Sequence, residues 1–128
     1  AACRATDVRV TISADVLMPR WVPPADTEPG LAAKWNRSMQ ALAEHEVGHS
    51  QVLVRFAERI RAHILAMRAP CDRFTPEANA ASNAIVREMR AAQTKYDSDT
   101  KNGLTQGTAF PPPPDTELLA VTQLLIRW

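Results

Sequence analysis

From Leu31 to about Met67 the chain has no proline, and Trp35, Met39, Leu42, Glu46, His49, Leu53, Phe56, Ile60 and Ile64 recur at spacings of three and four. That is the period of an α-helix with one buried stripe, and a helix of about 55 Å sets the long dimension of a small domain. Upstream, Val8, Val10, Ile12, Ala14, Val16 and Met18 alternate with mostly polar residues, so Val8 to Met18 reads as a half-buried strand. The proline-rich stretch MPRWVPPADTEPG is a rigid loop leading to a helix start near Glu28 to Leu31. Downstream, APCDRF breaks the helix, and Thr75-Pro76-Glu77 restarts one with an N-cap threonine, a proline at the first helical position and an early acid. This second helix is predicted to run to Tyr96 or Ser98, with Ala78, Ala81, Ile85, Met89, Ala92 and Tyr96 facing inward. KNGLTQG ends it, with Asn102-Gly103 as the stop, and FPPPPD is an extended polyproline-like spacer. The final TELLAVTQLLIRW is either a short amphipathic helix or a strand. The expected architecture is a compact α+β domain, with two long antiparallel helices and a small sheet or edge strand packed on them.

Composition narrows the function classes. A chain of 128 residues with 45% hydrophobic content suits one domain with one core. Fifteen basic and fourteen acidic residues leave a formal charge of +1, scattered along the chain, which argues against a nucleic-acid partner. No stretch has the roughly 20 apolar residues of a membrane span, and no signal-type segment opens the chain. The protein is therefore either cytosolic or has lost a targeting segment. Cys3 and Cys71 are too few for a structural zinc cluster. They are either two unrelated buried thiols or a disulfide whose long loop would contribute about 4 kcal/mol on the chain-entropy model, as suits an exported domain.

The long helix carries polar groups on its apolar line. His45-Glu46-Val47-Gly48-His49 has the HExxH pattern, in which histidines one turn apart share a face and both can ligate zinc, with Glu46 as general base on the zinc-activated water. Burying these groups without partners would cost several kcal/mol, and a metal supplies partners. Gly48 is costly in a helix by about 1 kcal/mol against alanine, which close approach of another backbone or a substrate would explain. His63 lies fourteen residues beyond His49, about 21 Å along the helix, and is read as an ordinary half-exposed histidine. In an antiparallel hairpin, positions 93 to 97 come level with 49 to 45. Asp97 is then the expected third metal ligand, with Asp99 and Asn102 as rivals. Tyr96 is either a packed core tyrosine or a donor to a developing oxyanion.

An ordered series of residues carries a family resemblance: Cys3, VRVTISADVLMPRW, Trp35, HEVGHS, Cys71 and YDSDTKNGLTQG, covering most of residues 3 to 110. The series resembles the bacterial exported proteins of the DUF922 family, which are described as predicted zinc-dependent proteases. The resemblance implies a zincin-like metallopeptidase domain over 1–110 that uses Zn2+ on His45 and His49, with Glu46 as the catalytic base. It also implies a peptide or protein substrate, a secreted or periplasmic location and a Cys3–Cys71 bridge. Residues 111–128 would be a proline-rich spacer and a C-terminal segment packing on the same domain. In that family the late motif reads Tyr-Asp-x-x-Thr-x-His-Gly; Tyr96, Asp97, Thr100 and Gly103 match it, while Asn102 stands where a histidine is usual. The alternative is a degenerate, non-catalytic zincin that binds metal or a partner protein. A hairpin that packs as a structural domain without metal is a further alternative.

Overall fold

A computed structural model describes residues 1–108 and 117–127 of the chain. The elements run β1 (Ala2–Cys3), β2 (Thr11–Arg20), α1 (Pro29–Ala66), β3 (Ala69–Pro70), α2 (Cys71–Thr100), a 3-10 turn (Leu104–Gln106) and β4 (Glu117–Arg127). The fold is α+β: two long helices form an antiparallel hairpin, with β2 against α1. β2 and β4 form a two-stranded antiparallel sheet, in register from Thr11↔Arg127 to Arg20↔Glu117, with an irregularity between Val16 and Leu17.

The predicted periods map onto these elements with shifted ends. α1 begins with Pro29 in its first turn, where the missing N–H has no helical partner to lose. β2 begins at Thr11 rather than Val8, because its partner β4 ends opposite Thr11 and residues 8–10 have no strand to pair with among the described residues. Ile12, Ala14, Val16 and Met18 are half-buried and the residues between them exposed, as the alternation predicts. TELLAVTQLLIRW is a strand rather than a helix over Glu117–Arg127. The polyproline-like spacer expected at Pro111 to Pro114 lies outside the described residues.

The largest correction concerns α2, which begins at Cys71, one turn before the predicted Thr75 cap, and carries Pro76 inside it. Its start is set from outside the helix. Cys3 and Cys71 form a disulfide, with Cα atoms 4.9 Å apart, and β1 pairs with β3 immediately before Cys71. These cross-links hold the first turn in place despite the hydrogen bond that Pro76 cannot make. At the other end α2 stops at Thr100. Lys101 (φ 50°) and Asn102 (φ 56°) turn left-handed, and the N–H groups of Asn102 and Lys101 donate to the carbonyls of Asp97 and Ser98 at 2.7 and 3.2 Å.

Val52, Phe56 and Ile85 form the buried core of the hairpin, with Ile60, Met89 and Ala92 packed on it. Two contacts fix the course of the strand over α1. Arg61 Nε donates to the Val8 carbonyl at 3.2 Å, and Trp21 meets Trp35 edge-on with centroids 5.7 Å apart. The chain from Val8 to Trp21 therefore runs antiparallel to α1. Extended chain rises about 3.3 Å per residue and helix about 1.5 Å, so residues 14–17 pass at the level of His45 to His49. Among the described residues, no helix is long and apolar enough to cross a membrane.

Candidate metal centre

The four-residue spacing of His45 and His49 brings their rings to a centroid distance of 4.8 Å on the α1 face that meets α2. The antiparallel hairpin sets Gln93 against His49 and Tyr96 and Asp97 against His45, as the helical rise predicts. Asp97 Oδ1 lies 3.2 Å from His45 Nε2 and 2.8 Å from His49 Nε2. The three side chains are 5%, 22% and 41% exposed in the order His45, His49, Asp97, so the cluster is closed by the helix pair on one side and open to solvent on the Asp97 side.

Each ring is also held at its far nitrogen. His49 Nδ1 lies 2.5 Å from Gln93 Oε1, and His45 Nδ1 lies 2.8 Å from Gln106 Oε1. The direction of these bonds follows from the other end of each amide. Gln93 Nε2 donates to the His49 carbonyl at 3.0 Å, which can only accept, so Gln93 Oε1 must face the ring and His49 Nδ1 must carry the proton. Tyr96 donates its hydroxyl proton to the His45 carbonyl at 2.9 Å, so its oxygen accepts from Gln106 Nε2 at 3.0 Å, and His45 Nδ1 carries the proton by the same logic. In the neutral form of each ring, the Nε2 lone pair then points at the Asp97 carboxylate oxygen.

In those forms three acceptors meet at one point, a donor set suited to a shared cation. One shared cation would satisfy all three at once. Tetrahedral zinc, with bonds of about 2.0–2.2 Å, sets neighbouring ligand atoms about 3.3 Å apart. The His45–Asp97 separation of 3.2 Å is close to that, the His49–Asp97 separation of 2.8 Å is shorter and of hydrogen-bond length, and all three atoms lie within 4.8 Å of one another. Nitrogen, nitrogen and carboxylate oxygen are also donors that zinc accepts, so His45, His49 and Asp97 can hold a divalent metal.

The other candidates fall elsewhere. Asp99 is exposed and pairs with Lys95 one turn earlier on α2. Asn102 is exposed and uses its backbone N–H to cap the helix. Tyr96 donates its hydroxyl to the His45 carbonyl and stacks its ring on His45 at 4.9 Å, as the packed-tyrosine reading expects. His63 is exposed rather than half-exposed, far along α1. Glu46 is half-buried beside His45, and its carboxylate makes no hydrogen bond or ion pair among the described residues. Gly48 explains itself: a Cβ there would lie 2.0 Å from Tyr96 Oη, so the close neighbour is this side chain rather than a second backbone or a substrate.

Gln93 and Gln106 are not visible as site residues in the sequence. Gln93 stands one turn before Asp97 on α2, so a search along that face would have reached it. Gln106 comes from the 3-10 turn, where no periodicity points inward. Ser38 Oγ, donating to the Thr108 carbonyl at 3.2 Å, helps to hold that segment against α1.

No curated protein and no solved structure matches the chain. Residues 1–103, which hold both helices, β2 and the His45, His49 and Asp97 cluster, match the family described as bacterial protein of unknown function (DUF922), and the chain belongs to that family.

Proposed function

We propose that this protein is a zincin-like, zinc-dependent peptidase, with the metal on His45, His49 and Asp97 and with Glu46 as the proton-transferring group. The observation that carries the reading is the convergence of His45 Nε2 and His49 Nε2 on one Asp97 carboxylate oxygen, with each ring met at Nδ1 by a glutamine. Zinc held there supplies Lewis acidity, polarising a carbonyl and making water acidic near neutral pH. The remaining steps belong to the chain. Glu46, half-buried and with no hydrogen bond or ion pair on its carboxylate among the described residues, takes the proton from attacking water and passes it to the leaving amine. β2 holds the substrate. It pairs with β4 along one edge, has no second strand partner among the described residues, and passes the level of His45 and His49 at residues 14–17, so an extended peptide can add to its open edge. A Cys3–Cys71 disulfide fits the secreted or periplasmic setting proposed for such an enzyme.

Elemental analysis and peptide turnover together test this. Purified protein, stripped and reloaded, is expected to hold one zinc per chain and to cleave unstructured peptides, with cleavage lost on chelation and restored by zinc. His49→Ala is expected to bind zinc at least about a hundredfold more weakly, since even loss of a residue behind a ligand costs about 10–100-fold. Zinc at full occupancy without cleavage would favour the second reading, a non-catalytic metal-binding or protein-interaction domain, which Asn102 at the position of the family's usual histidine favours. A folded protein that takes up no zinc would end both.

A further inference from the structure

We propose that Gln93 and Gln106 are positioning residues that clamp the two histidine rings in the Nδ1–H form, so that both Nε2 lone pairs stay aimed at Asp97 before any metal arrives. The inference rests on the metal reading above but concerns the protein's own hydrogen bonds. Without a cation, a cluster of three acceptors has an easy escape. Either ring can move its proton from Nδ1 to Nε2 and donate it to Asp97, which turns a ligand set into a histidine–carboxylate pair closed to metal. The structure opposes that escape twice, by the same device.

Each clamp is a loop that begins and ends on one residue. His49 Nδ1–H donates to Gln93 Oε1 at 2.5 Å, and Gln93 Nε2 returns to the His49 carbonyl at 3.0 Å. His45 Nδ1–H donates to Gln106 Oε1 at 2.8 Å, Gln106 Nε2 donates to Tyr96 Oη at 3.0 Å, and Tyr96 donates to the His45 carbonyl at 2.9 Å. If a ring proton moved to Nε2, the glutamine oxygen would face a bare Nδ1 lone pair. Flipping the amide would cure that contact only by turning the glutamine oxygen onto a group already fixed from its far side. For Gln93 that group is the His49 carbonyl, which accepts only; for Gln106 it is a hydroxyl whose proton is already given to the His45 carbonyl. The wrong tautomer thus loses a hydrogen bond at one end of the amide or the other. Because each loop closes on the main chain of the histidine it orients, it fixes the ring relative to its own helix turn, which suits an outer partner of a metal ligand. Thr100 Oγ1 adds to the His45 side. It donates to the Tyr96 carbonyl at 2.8 Å and accepts from the Gly103 N–H at 3.2 Å, holding the chain that leads to Gln106.

The test is the tautomeric state of the rings, read by long-range proton–nitrogen NMR on zinc-free, folded protein, at a pH well above the ordinary imidazole value of about 6.5. His45 and His49 are expected as Nδ1–H, against exposed His63 as an internal reference. Gln93→Leu is expected to move the His49 proton to Nε2 and leave His45 unchanged; Gln106→Leu is expected to do the reverse. Each variant should bind zinc about 10–100-fold more weakly while keeping its helical circular dichroism. Nε2–H or doubly protonated rings in the wild-type protein would overturn the proposal, and that measurement needs no variant to fold. Variants that keep Nδ1–H would overturn it as well. The metal reading fails separately: rings in the expected tautomer in a protein that takes up no zinc would leave the clamps standing and remove the metal.

Discussion

Glu46→Gln is expected to keep zinc at the wild-type level and to lose about a hundred- to ten-thousandfold in peptide turnover, the range that general-base groups contribute. The substitution is isosteric, and the Glu46 carboxylate makes no hydrogen bond or ion pair among the described residues, so the change breaks no such contact there. The three proposed ligand atoms come from other residues, so metal uptake is expected to be likewise indifferent. What disappears is the ability to accept a proton beside the metal. The contrast with His49→Ala separates two roles that a loss of activity alone would confuse, since that variant loses metal and turnover together. A Glu46→Gln protein that still cleaves peptides at the wild-type rate would remove Glu46 from the mechanism, whatever its zinc content.

How much of this centre was legible depends on whether a residue obeys a period. His45 and His49 lie on one helical stripe, and the level of Asp97 follows from counting equal rises down two antiparallel helices, so the meeting of these three side chains from two elements was within reach of the sequence. Gln106 sits in a 3-10 turn placed by the left-handed residues from Lys101 to Gly103 and by the Ser38–Thr108 bond. The stop at Asn102-Gly103 is legible, but the contact that holds the following turn against α1 is a tertiary fact without a sequence rhythm. The start of α2 was misplaced for a related reason. Thr75-Pro76 is a good local cap, but a disulfide and a strand pair act at Cys71, and covalent and long-range constraints override a local preference of about 1 kcal/mol. The C-terminal apolar segment was ambiguous because its leucines satisfy both periods; pairing with β2 decides it.

Gly48→Ala tests the packing that holds His45, because two well-defined effects predict opposite signs. Helix propensity alone makes alanine better by about 1 kcal/mol in mid-helix. Sterics oppose it, since a Cβ at position 48 would lie 2.0 Å from Tyr96 Oη and 2.3 Å from Cζ. The ring has little room to yield. It is stacked on His45 with an interplanar angle of 13°, meets His49 edge-on at 4.8 Å, and its hydroxyl is held by the His45 carbonyl and by Gln106. Overpacking of this kind costs about 1–3 kcal/mol, and displacing the hydroxyl forfeits about 1 kcal/mol for each hydrogen bond it breaks. Sterics therefore win, and Gly48→Ala is expected to destabilise the protein by about 2–3 kcal/mol, read from the urea midpoint at unchanged slope. The control is the same change in a Tyr96→Ala background. There the clash is gone and only propensity remains, so Gly48→Ala should now stabilise by up to about 1 kcal/mol. A stabilising Gly48→Ala in the wild-type background would mean that Tyr96 does not cross α1 at Gly48. In that case the hydroxyl bridge from His45 to Gln106 would not exist either, and the clamp on that ring would lose its anchor.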